Sequence, residues 1–180
     1  MTPMSTSKKA APPEPVRPER FLILLRHGIA EDATPEKKDE DRSLTSEGHA
    51  RMKQIARGLE RAFPKAQAVY SSPLLRAVQT SLWVSKAYRS RVNIATTAAL
   101  EPGASAKDFL ALVAGIEVRR AVIVGHEPTL TNGLFALTGI RESSALELKK
   151  GGCYGIRLTG EGKGVLEWIL PPRVLRELGE

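Results

Sequence analysis

Two short runs constrain this chain more than anything else in it: Phe21-Leu22-Ile23-Leu24-Leu25 and Ala121-Val122-Ile123-Val124-Gly125. Neither run has a polar position. A strand with one wet face alternates apolar and polar residues, whereas a strand without polar positions is covered on both faces. The chain therefore carries interior strands of a sheet lying between helical layers. The segments around them alternate in the same sense. AVYS (68–71) and VNIA (92–95) read as shorter strands. Met52, Ile55, Ala56, Leu59 and Phe63 recur at helical spacing, behind Thr45 as N-cap and ahead of Pro64 as a stop. Ser72 as a cap and Pro73 at the first helical position start a second helix that runs to about Tyr88. Further helices are expected over 105–115, over about 128–138 up to Gly139, and from Arg173. Residues 153–159 and 165–170 read as strands joined by a turn at 160–164. This pattern predicts a three-layer α/β/α sandwich with a mostly parallel central sheet and an antiparallel edge strand.

The length of 180 residues suits one domain with a tail. Residues 1–19 are rich in Pro, Ser, Lys and Ala, and with so little to bury they read as a disordered leader. The folded domain is expected over 20–180. The leader has no apolar core of a signal peptide, and no run approaches the ~20 apolar residues of a membrane span. The single cysteine, Cys153, cannot form an internal disulfide, which fits a reducing, cytoplasmic setting. Histidines at 27, 49 and 126 and one cysteine do not have the spacing of a zinc site, so no metal is expected. The net charge of +7 is spread through most segments without any nucleic-acid-binding signature. The expectation is no nucleic acid, no membrane, an anionic substrate and a monomer.

In sheets of this kind, sites lie beyond the carboxyl ends of strands. Arg26-His27-Gly28 follows the first apolar strand directly, His126-Glu127-Pro128 follows the second, and Ser71-Ser72 follows AVYS. Two of the three histidines thus occupy positions where such a fold puts function. A phosphoryl group needs its charge stabilised over three oxygens, and the planar fork of arginine suits that geometry. Arg26 adjoins His27, Arg76 lies early in the second helix, and Arg42 lies in the loop before the first. The helix N-terminus after Pro73 adds backbone N–H groups for an anion. A histidine can be the nucleophile if its attacking nitrogen is bare. Nearby arginines favour the neutral ring, and a backbone carbonyl can fix the tautomer. Gly28 would let backbone approach ring and phosphate closely.

Taken together, Arg26-His27-Gly28, the segment from Ser71 to Thr80 (SSPLLRAVQT), Val124-Gly125-His126-Glu127-Pro128, and Arg42-Ser43-Leu44-Thr45 with Gly48 resemble the histidine phosphatase superfamily. They look most like its small SixA-type phosphohistidine phosphatases. The resemblance covers roughly residues 21–172. It implies that His27 is the nucleophile and becomes phosphohistidine, and that Arg26 and Arg76 bind phosphoryl oxygens. It further implies that His126 donates to the transferring group and that no metal or organic cofactor takes part. Larger members place a general acid between the second arginine and the second histidine, where Glu101 stands here. Asp32, Asp39 and Asp41 are fallback carboxylates. Only 24 residues separate Arg76 from Glu101, too few for the cap of mutases, so an open site is expected. The expected function is a phosphohistidine phosphatase acting on a partner protein. The alternatives are a phosphomonoester phosphatase for a small metabolite, with Glu101 as acid, and a catalytically silent phosphate-binding module.

Overall fold

In the computed structural model, residues 18–89, 92–141, 146–160 and 162–180 are described. Of the leader expected over 1–19, residues 1–17 lie outside the described residues, as does Glu161 of the expected 160–164 turn. The elements follow in the order β1 (Arg20–Arg26), α1 (Ser46–Ala62), β2 (Ala68–Ser71), α2 (Leu75–Ala87), β3 (Asn93–Thr96), α3 (Ala106–Gly115), β4 (Arg120–Gly125), α4 (Thr129–Thr138), β5 (Cys153–Leu158), β6 (Gly164–Leu170) and α5 (Pro172–Gly179). No described helix is long and apolar enough to cross a membrane.

The six strands form one sheet in the order β3-β2-β4-β1-β5-β6. Strands β1 to β4 pair parallel, and β5 runs antiparallel to both β1 and β6. The sheet is mostly parallel, as expected. The edge strand β6 pairs antiparallel with β5, as expected, and β5, one place inside, is the strand reversed against the others. The tight β5–β6 turn forces those two strands antiparallel to each other, and β6 then closes the sheet running with β1.

The apolar runs occupy the centre because their side chains are divided between two cores. Ile23, Leu25, Val122 and Val124 pack with Met52, Ile55 and Leu59 of α1, Ala77 and Val84 of α2, and Leu175 of α5. Leu22, Leu24, Ala121 and Ile123 pack on the opposite face with Phe109 and Val113 of α3 and Leu130 and Leu134 of α4. Each of the larger side chains contributes roughly 1.5–3 kcal/mol on burial, so neither face of the Leu22–Leu25 and Ala121–Val124 runs tolerates a polar residue.

Two boundaries position the site. Thr45 caps α1 as expected, its hydroxyl accepting from the Gly48 N–H at 2.9 Å. Helix α2 begins at Leu75, later than the Ser72-Pro73 signal predicts, and its N-cap residue Leu74 provides no side-chain cap. The Ser72 hydroxyl accepts weakly from Leu74 N at 3.3 Å and meets the ring of His126 instead. A second polar partner has drawn the expected cap away from the helix.

Candidate active site

The register of β1 against β4 sets Arg26 opposite Gly125. His27 and His126 are the next residue of each strand, so the ladder delivers both imidazoles at one level. His27 N donates to Gly125 O at 3.1 Å, and its carbonyl accepts from Gly151 N at 3.2 Å. The two ring centroids are 4.9 Å apart, tilted by 51°. Both histidines are buried.

His27 Nδ1 lies 2.7 Å from Gly28 O. A carbonyl only accepts, so Nδ1 carries the proton and Nε2 keeps its lone pair. Burial lowers the His27 pKa to about 3, with His126, Arg76 and Arg26 adding repulsion. His126 is likewise lowered to about 3, first by burial and then by Arg76. Its Nε2 is 2.9 Å from Ser72 Oγ, which leaves Nδ1 as the nitrogen available to another group. Four buried side-chain atoms lack a hydrogen-bond partner among the described residues: Arg26 Nε, His126 Nδ1, Glu127 Oε1 and Thr159 Oγ1. Three of the four belong to residues at the carboxyl ends of β1 and β4. Orphaned polar groups are rare in folded proteins, so their concentration here marks a place built for a polar ligand.

The arginines divide their N–H groups between scaffold and pocket. Arg26 Nη1 donates to Leu148 O at 2.6 Å, leaving Nε unspent. Arg76, only 4% exposed, donates through Nη1 to Asp39 O at 2.6 Å and through Nη2 to Asp39 Oδ2 at 2.9 Å. Arg42 donates through Nε to Glu31 O and through Nη1 to Asp39 Oδ1, both at 2.7 Å. Asp39 therefore links two of the three arginines named from the sequence. Those same hydrogen bonds hold its carboxyl below the ordinary carboxylate range, which makes it a poor proton donor.

Glycine 28 has a different task from the one expected. Its amide donates to Thr80 Oγ1 at 3.0 Å and is spent. A Cβ there would fall 2.5 Å from Met52 Cγ, so the missing side chain admits α1. Thr80 in turn donates to Arg76 O at 2.8 Å, which couples the His27 loop to the arginine helix. Glu101 is drawn close through its backbone, whose carbonyl accepts from Thr129 Oγ1 at 2.8 Å. Leu100 O would stand 3.3 Å from a Cβ on Gly125, so this segment packs against the His126 loop. Asp32 and Asp41 are exposed. His49 accepts from Trp83 Nε1 at 3.0 Å and ties α1 to α2.

Ser72 and Thr80 were not identifiable as site partners from the residues alone, and Asp39 stood only as a fallback carboxylate, not as the link between Arg42 and Arg76. Thr80 carried a usable signal, since it stands four residues after Arg76 on one helix face. Ser72 read as a helix cap. Glu127, beside His126, is half-buried and its pKa is raised by that burial. Among the described residues, no group of three or more His, Cys, Asp or Glu could hold a metal ion.

Comparison with known proteins agrees with this geometry. The model of the histidine phosphatase superfamily (branch 1) matches residues 22–101. An uncharacterized protein of Picosynechococcus sp. is 34% identical over 139 residues, 76% of this chain and 84% of its own. The solved protein histidine phosphatase SixA complexed with tungstate superposes with a TM-score of 0.77 at 21% identity, covering 86% of this chain and 99% of that one. A structure from Agrobacterium tumefaciens described as phosphohistidine phosphatase SixA gives 0.74 at 25% identity, covering 85% and 98%. A mycobacterial glucosyl-3-phosphoglycerate phosphatase gives 0.68 at 17% identity, covering 86% and 100%. The family model and the 34% identical relative, which spans most of both chains, show that the chain belongs to the histidine phosphatase superfamily, on its SixA-type side.

Proposed function

We propose that this protein is a metal-independent phosphatase that forms a phosphohistidine on His27, and that its substrate is phosphohistidine on a partner protein. The observation that carries this reading is the pair of imidazoles 4.9 Å apart, both held neutral, with Arg26 keeping an unspent Nε and His126 an unspent Nδ1. His27 Nε2 attacks phosphorus in line with the leaving nitrogen. The new P–N bond forms as the substrate's P–N bond breaks, and the departing imidazole takes its proton from solvent. Arg26, Arg76 and the Nδ1–H of His126 spread the charge of the equatorial oxygens. Water then attacks the phosphorus of the phosphoenzyme. Its proton goes to the departing phosphate, and His27 recovers its lone pair.

An open site supports a protein substrate. Between Arg76 and Glu101, the described residues form only the rest of α2, strand β3 and a 3-10 turn (Ala98–Leu100). All the groups named come from one chain, which supports a monomer, and a cytoplasmic setting is part of the same reading. A phosphoramidate leaves more easily than an alkoxide and needs less acid assistance. Rapid quenching with labelled substrate should trap acid-labile, alkali-stable phosphate on the wild type and none on His27→Ala. Wild-type turnover by His27→Ala would falsify the nucleophile. If simple esters are the substrates instead, Glu101→Gln should abolish ester hydrolysis while sparing a phosphohistidine peptide.

A further inference from the structure

Arg76 is a buried cation, and taking a guanidinium out of water is tolerable only when it is paired. Among the described residues, the carboxylate that pairs with it is Asp39, at 2.9 Å. The two partners are unequally anchored. Arg76 is 4% exposed, whereas the Asp39 side chain is 54% exposed. The 3-10 turn that carries it (Asp39–Asp41) has no buried residue at all. That turn is fastened to α2 by the Arg76 fork, through Asp39 O and Oδ2, and to Arg42 through Oδ1. Asp39 also lies close enough to His126 to act on it electrostatically. The carboxylate thus sits in the field that a phosphoryl group would meet, presenting two anionic oxygens to the same donors.

Resting on the phosphatase reading above, we infer that Asp39 is the resting counter-ion of the phosphate pocket. Its carboxylate occupies Arg76 and Arg42 until a phosphoryl group takes its place. The exchange keeps the buried cation paired at every stage. It also weakens the grip on free phosphate, because each anion that binds must first displace another, and product leaves more readily. A fixed clamp, in which Asp39 only orients the two arginines, would have the opposite sign.

Inorganic phosphate binding to full-length protein, measured by calorimetry, separates the two without any need for turnover. Asp39→Asn keeps the shape and one acceptor but loses the charge. It should bind phosphate about tenfold more tightly than wild type, melt at a lower temperature without phosphate, and regain more on adding it. KM for substrate should fall, and product inhibition should strengthen. Glu40→Gln, on the same exposed turn, should leave phosphate binding unchanged. In the wild type, phosphate should speed amide exchange across the turn, including the Arg42 N–H that donates to Asp39 O. Equal or weaker phosphate binding by both Asp39→Asn and Asp39→Ala, or slower exchange of the turn with phosphate, would overturn the inference in favour of the clamp. Absence of phosphate binding in wild type and variants alike would reject both the inference and the site. A wild type that binds phosphate but hydrolyses nothing would reject the phosphatase reading alone.

Discussion

A histidine that is to attack phosphorus inside a cationic pocket must keep one nitrogen bare, and His27 does so by committing the other to the carbonyl of Gly28. The same burial has a measurable cost in acid. In the unfolded chain, His27 and His126 take up protons near pH 6.5, whereas in the folded protein both resist protonation down to about 3. The unfolded state therefore binds more protons in that window, and stability falls as pH drops from 6.5 towards 3. Each ring should contribute about 1.4 kcal/mol per pH unit to the slope. Urea denaturation at a series of pH values should show that slope reduced by about that amount in His27→Asn. Activity, by contrast, should show no loss of nucleophile with a midpoint near 6.5. Ser72→Ala removes the hydroxyl that holds His126 Nε2 and should lower kcat about tenfold, the equivalent of one hydrogen bond, with little change in KM. At this scale the sequence was informative about the groups that do chemistry. Their supports were harder to read, because Ser72 satisfies an ordinary local rule equally well as a helix cap, and Asp39 stood only as one of three fallback carboxylates.

The elements hold these residues through close backbone contacts that leave no slack. Helices α1 and α5 meet at glycines: a Cβ on Gly58 would lie 1.8 Å from Leu175 O, and one on Gly179 would lie 2.0 Å from Gln54 O. Gly58→Ala should therefore push α5 off α1 and cost about 3 kcal/mol, read as a lower denaturation midpoint and faster proteolysis of the C-terminal helix. Thr80→Val tests the tie between α2 and the His27 loop. Leaving the Gly28 amide unpaired should cost about 1–3 kcal/mol and lower activity beyond what the stability loss explains. The strands were legible because the runs Phe21–Leu25 and Ala121–Gly125 have no polar positions, and α1 because its cap, Thr45, accepts from the Gly48 N–H as the local rule expects. The start of α2 was misread where a rival existed. Sheet order was legible only in part, since a tight turn says that β5 and β6 oppose each other but not which strand β5 pairs with.

For the whole molecule, the lack of a cap among the described residues leaves the site facing whatever surface docks on it, and the chain meets that surface with a net charge of +7. If the partner presents an acidic face, kcat/KM for the phosphorylated protein should fall as salt rises through 0.1–0.5 M, while a short phosphohistidine peptide should be less sensitive. Stopped-flow assays at several ionic strengths would check this. The pairing of Arg26 with Gly125 has a last implication. The reactive centre is an outcrop of a deeply buried ladder, with Leu24 and Ile123 facing each other two rungs below and no exposure at either. Opening events that fray the periphery can leave it untouched, whereas losing it means dismantling the middle of the fold. Inactivation by heat or denaturant should therefore coincide with the slowest-exchanging amides, making enzymatic turnover a faithful gauge of the last structure to melt.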